Sequence, residues 1–258
     1  MNHFLLKPRW MALHLAALGL AILFINLGFW QLRRLEQRQA RNELLESRLA
    51  LETEPLAKLL VNYQTDLPAR DERSIGLRPT TVSGEYDAHH EVLYRTTDNY
   101  NGQAGYFLLT PLKLAGNEAI LVNRGWVPFS FDQPPIIDAA PPEAEVTIYG
   151  LVQLERPPPT GTLAGLAPRD PPGELDITAY VDIDRLEAQM PYELLPVFLE
   201  LSEQSPPHPD ALPLPLEEPE FSEGSHLGYA IQWFAFTIIG VIGYGFLLRQ
   251  ITKSRQPH

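Results

Sequence analysis

The sequence predicts a membrane protein of the α+β class, in which two transmembrane helices flank an extramembrane domain built mainly of antiparallel strands. Two observations carry this prediction. Long uncharged runs lie near both ends, at 10–32 and 227–248, and five short runs rich in β-branched and aromatic residues lie between 76 and 154. Because a charged side chain at the bilayer centre costs roughly 2.5 to 3.5 kcal/mol, uncharged runs of this length are typical of membrane-spanning helices.

Each terminal run is long enough to span. At 1.5 Å per residue, 23 and 22 residues give about 34 and 33 Å of helix, against a hydrocarbon core about 30 Å thick. A cleaved signal peptide is the alternative for the first run. Its apolar core would be only about 7 to 15 residues long, and here Arg33 and Arg34 follow the run at once. We therefore expect an uncleaved anchor.

Charge predicts how the helices are oriented, since short cytoplasmic segments retain Lys and Arg. Basic residues without acidic neighbours flank the outer ends of both runs, namely Lys7, Arg9, Arg249, Lys253 and Arg255. We expect cytoplasmic termini at 1–9 and 249–258 and a periplasmic central domain, in a bacterial plasma (inner) membrane. Four arginines directly after the first run oppose this orientation, but glutamates are interleaved with them.

The central segment is strongly acidic. Between Arg33 and Glu223 lie all 32 acidic residues and 15 of the 20 basic ones, a net charge of about −17. This excludes a nucleic-acid-binding domain, which needs clustered basic charge, and suits a domain that must not adhere to anionic lipid. The chain has no cysteine, so disulfides and thiolate metal sites are excluded.

Three parts follow the first span. Good helix formers predict a helical stalk at 33–55. We expect the β-rich domain at 56–205, where a short helix and a further strand follow the five β runs. Six prolines between 206 and 219 predict an extended tether at 206–226. The five β runs, which indicate an antiparallel sheet or a partly closed barrel, lie at 80–87, 91–97, 105–114, 119–129 and 145–154.

Catalytic motifs are missing from the sequence. It has no phosphate-binding glycine loop, no HExxH and no GxSxG. His89 and His90 are adjacent, so on a strand they would point to opposite faces and could not share a metal; a surface turn is the favoured interpretation. A membrane-anchored periplasmic hydrolase stays open as a further alternative, and it would need a convergent pocket in the domain.

Polar and aromatic residues meet at the domain-side ends of the two spans. His226, Tyr229 and Trp233 stand at i, i+3 and i+7, on one helical face. A neutral imidazole with flanking aromatics is a plausible haem-iron site, although an aromatic belt with an interfacial histidine has the same spacing. His14, one turn inside the other end, is a second candidate ligand that could instead reach the interface. Copper delivery fits poorly with three methionines and no cysteine.

Five motifs resemble the Surfeit locus protein family: LGFWQLRR, GEYD, GYFLLTPL, VNRGWVP and HLGYAIQWF, in that order. The resemblance covers almost the whole chain. It implies an assembly factor for haem-copper cytochrome c oxidase that assists haem a binding and delivery to the catalytic subunit, with no catalytic reaction. The implied partners are that subunit, haem a synthase and membrane lipid.

The resemblance also assigns residues. His226 matches the proposed haem-binding histidine, so it is the expected ligand of the haem iron, with Tyr229, Trp233 and Trp30 as further haem contacts. A partner or structural motif is expected at Gln31, Arg34, Asn123, Arg124, Gly125 and Trp126.

Two alternatives remain open at this point. Arg124 could present its guanidinium to a haem propionate or an acidic partner, or it could be a buried arginine that pins the sheet. The whole protein could likewise be a haem-independent membrane chaperone that stabilises an oxidase subunit.

Overall fold

The computed structural model describes residues 7–65, 75–95, 100, 102–161, 164–165, 167–208, 211–217 and 221–254. The chain divides into two compact units: Met1–Glu46 with Glu220–His258, and Ser47–Pro219. The helices are α1 (Pro8–Leu49), α2 (Leu56–Thr65), α3 (Ile183–Glu187) and α4 (His226–Ser254). The strands are β1 (Glu54–Pro55), β2 (Pro79–Tyr86), β3 (Val92–Tyr94), β4 (Gly105–Lys113), β5 (Glu118–Pro128), β6 (Val146–Leu154), β7 (Ile177–Thr178) and β8 (Glu193–Ser205).

Both predicted spans are helical, and α1 and α4 are each long and apolar enough to cross a membrane. α1 continues beyond the span, as expected of a stalk, but it ends at Leu49 and not at 55. The reason lies in the next element. Proline disfavours the α conformation in the residue before it, and Glu54, which precedes Pro55, pairs with Thr80 in a parallel ladder.

The two long helices pack along a seam with alternating steps of three and four residues. On α1 the less exposed positions include 14, 17, 21, 24, 28, 31 and 35, with 27 and 32 beside them, and on α4 they include 226, 230, 233, 237 and 244. This spacing keeps one face of each helix towards its partner. Gly28 allows close approach, because a Cβ at that position would lie 2.6 Å from the ring of Phe234.

The other unit is a sheet that closes on itself. The strand order is β1-β2-β6-β8-β5-β4-β3-β7, and an additional pairing of β2 with β4 closes a ring of five strands. Among the described residues five pairings are antiparallel and three are parallel. The expected mainly antiparallel domain is confirmed, and the ring is the predicted barrel. Its interior is a cluster of buried aliphatic side chains from β4, β5, β6, β8 and α2.

The proline-rich segment is partly tied to the barrel. Leu214 and Trp126 exchange two backbone hydrogen bonds of 2.8 Å each, so the segment adds a short antiparallel bridge to β5. The tether predicted at 206–226 is therefore held by the domain at Leu214, and also at His208, whose Nε2 lies 2.8 Å from Nη2 of Arg124. His89 and His90 lie in a 3₁₀ turn, Ala88–His90, in agreement with the favoured surface turn.

Candidate functional site

His226 is the first residue of α4, and its imidazole contacts α1. The Nδ1 atom lies 2.8 Å from Oε1 of Gln31. Because an amide oxygen can only accept, Nδ1 carries the hydrogen and donates it. The remaining nitrogen, Nε2, then presents a lone pair. A histidine whose Nδ1–H is fixed in this way is oriented and made more basic as a metal ligand.

Space is left beside the free nitrogen. The turn preceding α4 contains Gly224 at φ +69°, and a Cβ at that position would lie 3.7 Å from Nε2 of His226. With glycine there, no side chain from this position covers the ring edge. His226 itself is half-buried, and its Nδ1 is directed at Gln31 of α1.

An aromatic layer lies about two to three turns deeper in the helix pair. The ring centroids of Phe24 and Trp233 are 5.3 Å apart, and Phe236 completes the cluster at 6.0 Å from Trp233 and 6.2 Å from Phe24. These are the distances of favourable aromatic pairs. Trp233 is therefore held between the helices and forms a wall of the seam below His226.

The other residues predicted for this site are not drawn into the seam. Trp30 and Tyr229 are 47% and 49% exposed and lie on the outer surface of the helix pair. Arg34 donates a hydrogen bond to Gln37 on its own helix. Of the predicted set, the structure thus brings His226 together with Gln31 and places Trp233 nearby. Trp30 and Tyr229 remain available to a partner or to lipid.

His14, the second candidate histidine, is also paired across the helices. Its Nδ1 is hydrogen-bonded to the hydroxyl of Tyr244, and the two rings meet edge to face with centroids 5.8 Å apart. The helix pair thus has a histidine bound to its partner helix near each end.

Arg124 lies in the barrel unit and is 3% exposed. Nη1 donates to Oε2 of Glu91 at 3.1 Å, and Nη2 donates to the carbonyl oxygen of Ala139 at 2.7 Å and to Nε2 of His208 at 2.8 Å. The guanidinium also lies 5.3 Å from the ring centroid of Tyr86. Burial lowers the pKa of Arg124 and raises that of Tyr86. Of the two alternatives for Arg124, this geometry fits the buried arginine that pins the sheet, because both terminal nitrogens of its guanidinium already donate hydrogen bonds within the domain.

The neighbours of Arg124 build the contact with the proline-rich segment. Asn123 accepts a hydrogen bond from the backbone of Gly125, which has φ +135°. A Cβ on Gly125 would lie 2.2 Å from the carbonyl oxygen of Leu214. Trp126 is 2% exposed and stacks on Tyr100 at a centroid distance of 5.2 Å. The VNRGWVP segment is therefore a packing motif of the domain.

Several residues of the seam and of the turn before α4 were missed at the sequence level: Phe24, Gly224, Phe234 and Tyr244. The three-and-four spacing of positions 14 to 35 was the available signal. Within the described ranges no group of three or more His, Asp or Glu side chains converges on a possible metal position. The seam offers two oriented imidazoles, that of His226 beside Gln31 and that of His14 beside Tyr244.

Fold and site define a class: a protein with two membrane-spanning helices, a barrel domain between them and an imidazole held at the helix contact. The chain belongs to the SURF1 family, whose model matches residues 18–238. It is 28% identical over 255 residues to an uncharacterised SURF1-like protein of Mycobacterium bovis, covering 98% of this chain and 88% of the relative. A SURF1-like protein of Rickettsia felis is 28% identical over 233 residues, 89% of this chain and 93% of the relative.

Proposed function

We propose that this protein assists assembly of a haem-copper cytochrome c oxidase by holding haem a transiently at His226 and delivering it to the catalytic subunit. The observation that carries the proposal is the hydrogen bond from Nδ1 of His226 to Gln31. It fixes the tautomer in which Nε2 can bind iron. Membership of the SURF1 family supports the role in oxidase assembly, and the role requires no catalytic reaction.

A single imidazole suits a carrier. Affinity differences between related complexes lie mostly in the dissociation rate, so a site that closed both faces of the iron would release its cargo slowly. His226 is half-buried, and Gly224 leaves the ring edge open. His226 would therefore supply one oriented ligand to the haem iron, which suits transfer of the haem to a partner.

The partners follow from the expected orientation. With both termini cytoplasmic and the barrel periplasmic, His226 and Gln31 would lie at the outer edge of the bilayer. Haem a synthase and the oxidase catalytic subunit would meet the helix pair there, within the membrane. Trp30 and Tyr229, each about half exposed, are the aromatic side chains available to such a partner or to the haem edge.

The test is the visible absorption spectrum of the full chain, purified in detergent from cells that make haem a. Wild type is compared with His226→Gly and with His89→Gly, which removes an exposed histidine of the barrel unit. We expect a haem a spectrum in wild type and in His89→Gly and none in His226→Gly. Added imidazole should restore the band in His226→Gly, because it replaces the missing ligand in a site that is otherwise intact.

Two outcomes would contradict the proposal. Equal bands in wild type and His226→Gly would place the iron ligand elsewhere. The absence of a band in every sample, despite abundant haem a in the cells, would favour the haem-independent chaperone that stabilises an oxidase subunit.

A further inference from the structure

An apolar groove runs along the seam between α1 and α4, on the far side of the aromatic layer from His226. Its cavity volume is about 490 Å³, within the usual range of small-molecule sites. On α1 its wall extends from His14 to Phe24, ten residue steps or about 15 Å of helix. The groove is therefore long and narrow.

Small residues create this groove without closing it. Small side chains in a transmembrane seam normally let the two backbones approach closely, and Gly28 does so against Phe234. Gly240 and Gly243 line the groove, yet a Cβ at either position would meet no atom within 4 Å. Ala17 and Ala21 form the facing wall. The small residues leave space for an occupant that is not part of the described chain.

The polar side chains in the lining already have partners. His14 and Tyr244 are hydrogen-bonded to each other, and the hydroxyl of Thr237 donates to the carbonyl oxygen of Trp233. The remaining lining residues are apolar. An occupant that matches this surface is an apolar chain without a polar group along its length.

The groove lies in the same seam as the proposed haem site. His226 and Gln31 lie at the domain-side end of the seam, the contact of Phe24 with Trp233 follows, and the groove begins at Phe24. Haem a and haem o carry a long isoprenoid tail that haem b lacks. A tail attached to a ring held at His226 would be tethered close to the groove, which raises its effective concentration there.

We infer that the groove between Ala17, Ala21, Gly240 and Gly243 binds the isoprenoid tail of a haem whose iron is held at His226, and so favours tail-bearing haems over haem b. This inference rests on the proposed function and adds to it the basis of haem selectivity. Lipid tails are as apolar as the groove, so selectivity comes from packing and tethering and not from burial of apolar surface alone.

The experiment titrates the full chain in detergent with haem a and separately with haem b, following absorbance. Gly240→Leu and Ala21→Leu fill the groove from opposite walls. Gly245→Leu and Gly19→Leu are matched controls, because they add the same side chain to the same helices at positions outside the lining, where the structure has space. Detergent also takes up the tail, but equally in every variant.

We expect each groove-filling variant to lose roughly tenfold or more in affinity for haem a, the usual effect of a steric change in an apolar pocket. Affinity for haem b should stay unchanged, and both controls should behave as wild type. Unchanged haem a affinity in Gly240→Leu and Ala21→Leu would overturn the inference and leave a groove filled by lipid, with the proposed function intact. An equal loss for both haems would also overturn it. Failure of wild type to bind either haem would overturn the proposed function, and the inference with it.

Discussion

Nδ1 of His226 lies 2.8 Å from the side-chain oxygen of Gln31, although 195 residues separate the two in sequence. Gln31 is 9% exposed, and the hydrogen bond satisfies its buried amide oxygen. The amide therefore fixes which nitrogen of His226 is free, and it joins α1 to α4 at the level of the candidate haem site.

Replacing Gln31 with Leu should weaken haem a binding by about 10- to 100-fold, the typical effect of losing the hydrogen bond that orients a ligating histidine. His226 remains, so binding should fall without being abolished. Titration of the full chain with haem a in detergent measures the change. Gln37→Leu on the exposed face of the same helix is the control and should bind as wild type. An unchanged affinity in Gln31→Leu would show that His226 does not depend on this hydrogen bond.

Replacing Arg124 with Met should destabilise the barrel unit by about 3 to 5 kcal/mol, because Glu91 would remain buried without its partner. In a domain of this size that corresponds to a fall of roughly 10 °C or more in the apparent Tm. Thermal unfolding followed by circular dichroism measures it. Lys113→Met is the control, since the Lys113–Glu85 pair is exposed and 4.0 Å long and is expected to contribute under about 1 kcal/mol.

The Arg124→Met variant also distinguishes the two roles considered for Arg124. If the side chain only pins the sheet, haem a affinity measured below the unfolding temperature should match that of wild type. A stable Arg124→Met protein that has lost haem a would instead return the guanidinium to a propionate-binding role.

Much of the fold could be predicted from the sequence because its signals are local. Uncharged runs of 22 or 23 residues identify spanning helices whatever the rest of the chain does, and β-branched runs bounded by turns locate strands. Element ends were less accurate where a tertiary contact decides them: α1 stops at Leu49, five residues before Glu54 pairs with Thr80 in the sheet. Closure of the barrel by β2 and β4 depends on pairing that no local pattern encodes.

The site was only partly predictable for a physical reason. A spanning helix is apolar on all sides, so its contact face has little contrast with its lipid face. His226 could be found from its spacing and from the family resemblance. Gln31 could be assigned to a motif, but its contact with His226 could not be predicted. The contact of His14 with Tyr244 could not be predicted either, because 230 residues separate the two. Glu91, the partner of Arg124, was one of 32 acidic residues with nothing to select it.

Replacing Gly125 with Ala should detach the proline-rich segment from the barrel. The backbone at φ +135° disfavours any side chain, and the new Cβ would meet the carbonyl oxygen of Leu214. We expect a loss of about 1 to 3 kcal/mol in stability and faster hydrogen exchange at the amides of Trp126 and Leu214. Gly116→Ala is a matched control, because Gly116 also has a positive φ, +93°, but faces open space. Equal exchange in both variants would mean that strain alone, without the clash, governs this position.

Replacing Asp87 with Asn should change how the stability of the barrel unit depends on pH. Burial raises the pKa of Asp87, but hydrogen bonds from His90, Tyr192 and the backbone of His89 outweigh it and lower the pKa overall. The stabilisation is therefore complete above the unfolded value of about 3.9 and is lost as the pH falls through the folded pKa.

Denaturant unfolding at pH 5 and pH 2.5 tests this, since the two values lie on either side of the ordinary aspartate pKa of about 3.9. At pH 5 we expect Asp87→Asn to be less stable than wild type by about 1 to 3 kcal/mol, because it loses hydrogen bonds to a charged acceptor. The difference should shrink at pH 2.5, where the wild-type carboxyl approaches its own protonated form. Asp132→Asn, at an exposed position, should show no such dependence. A constant difference between Asp87→Asn and wild type at both pH values would show that the charge of Asp87 does not contribute, and that only its shape and neutral hydrogen bonds do.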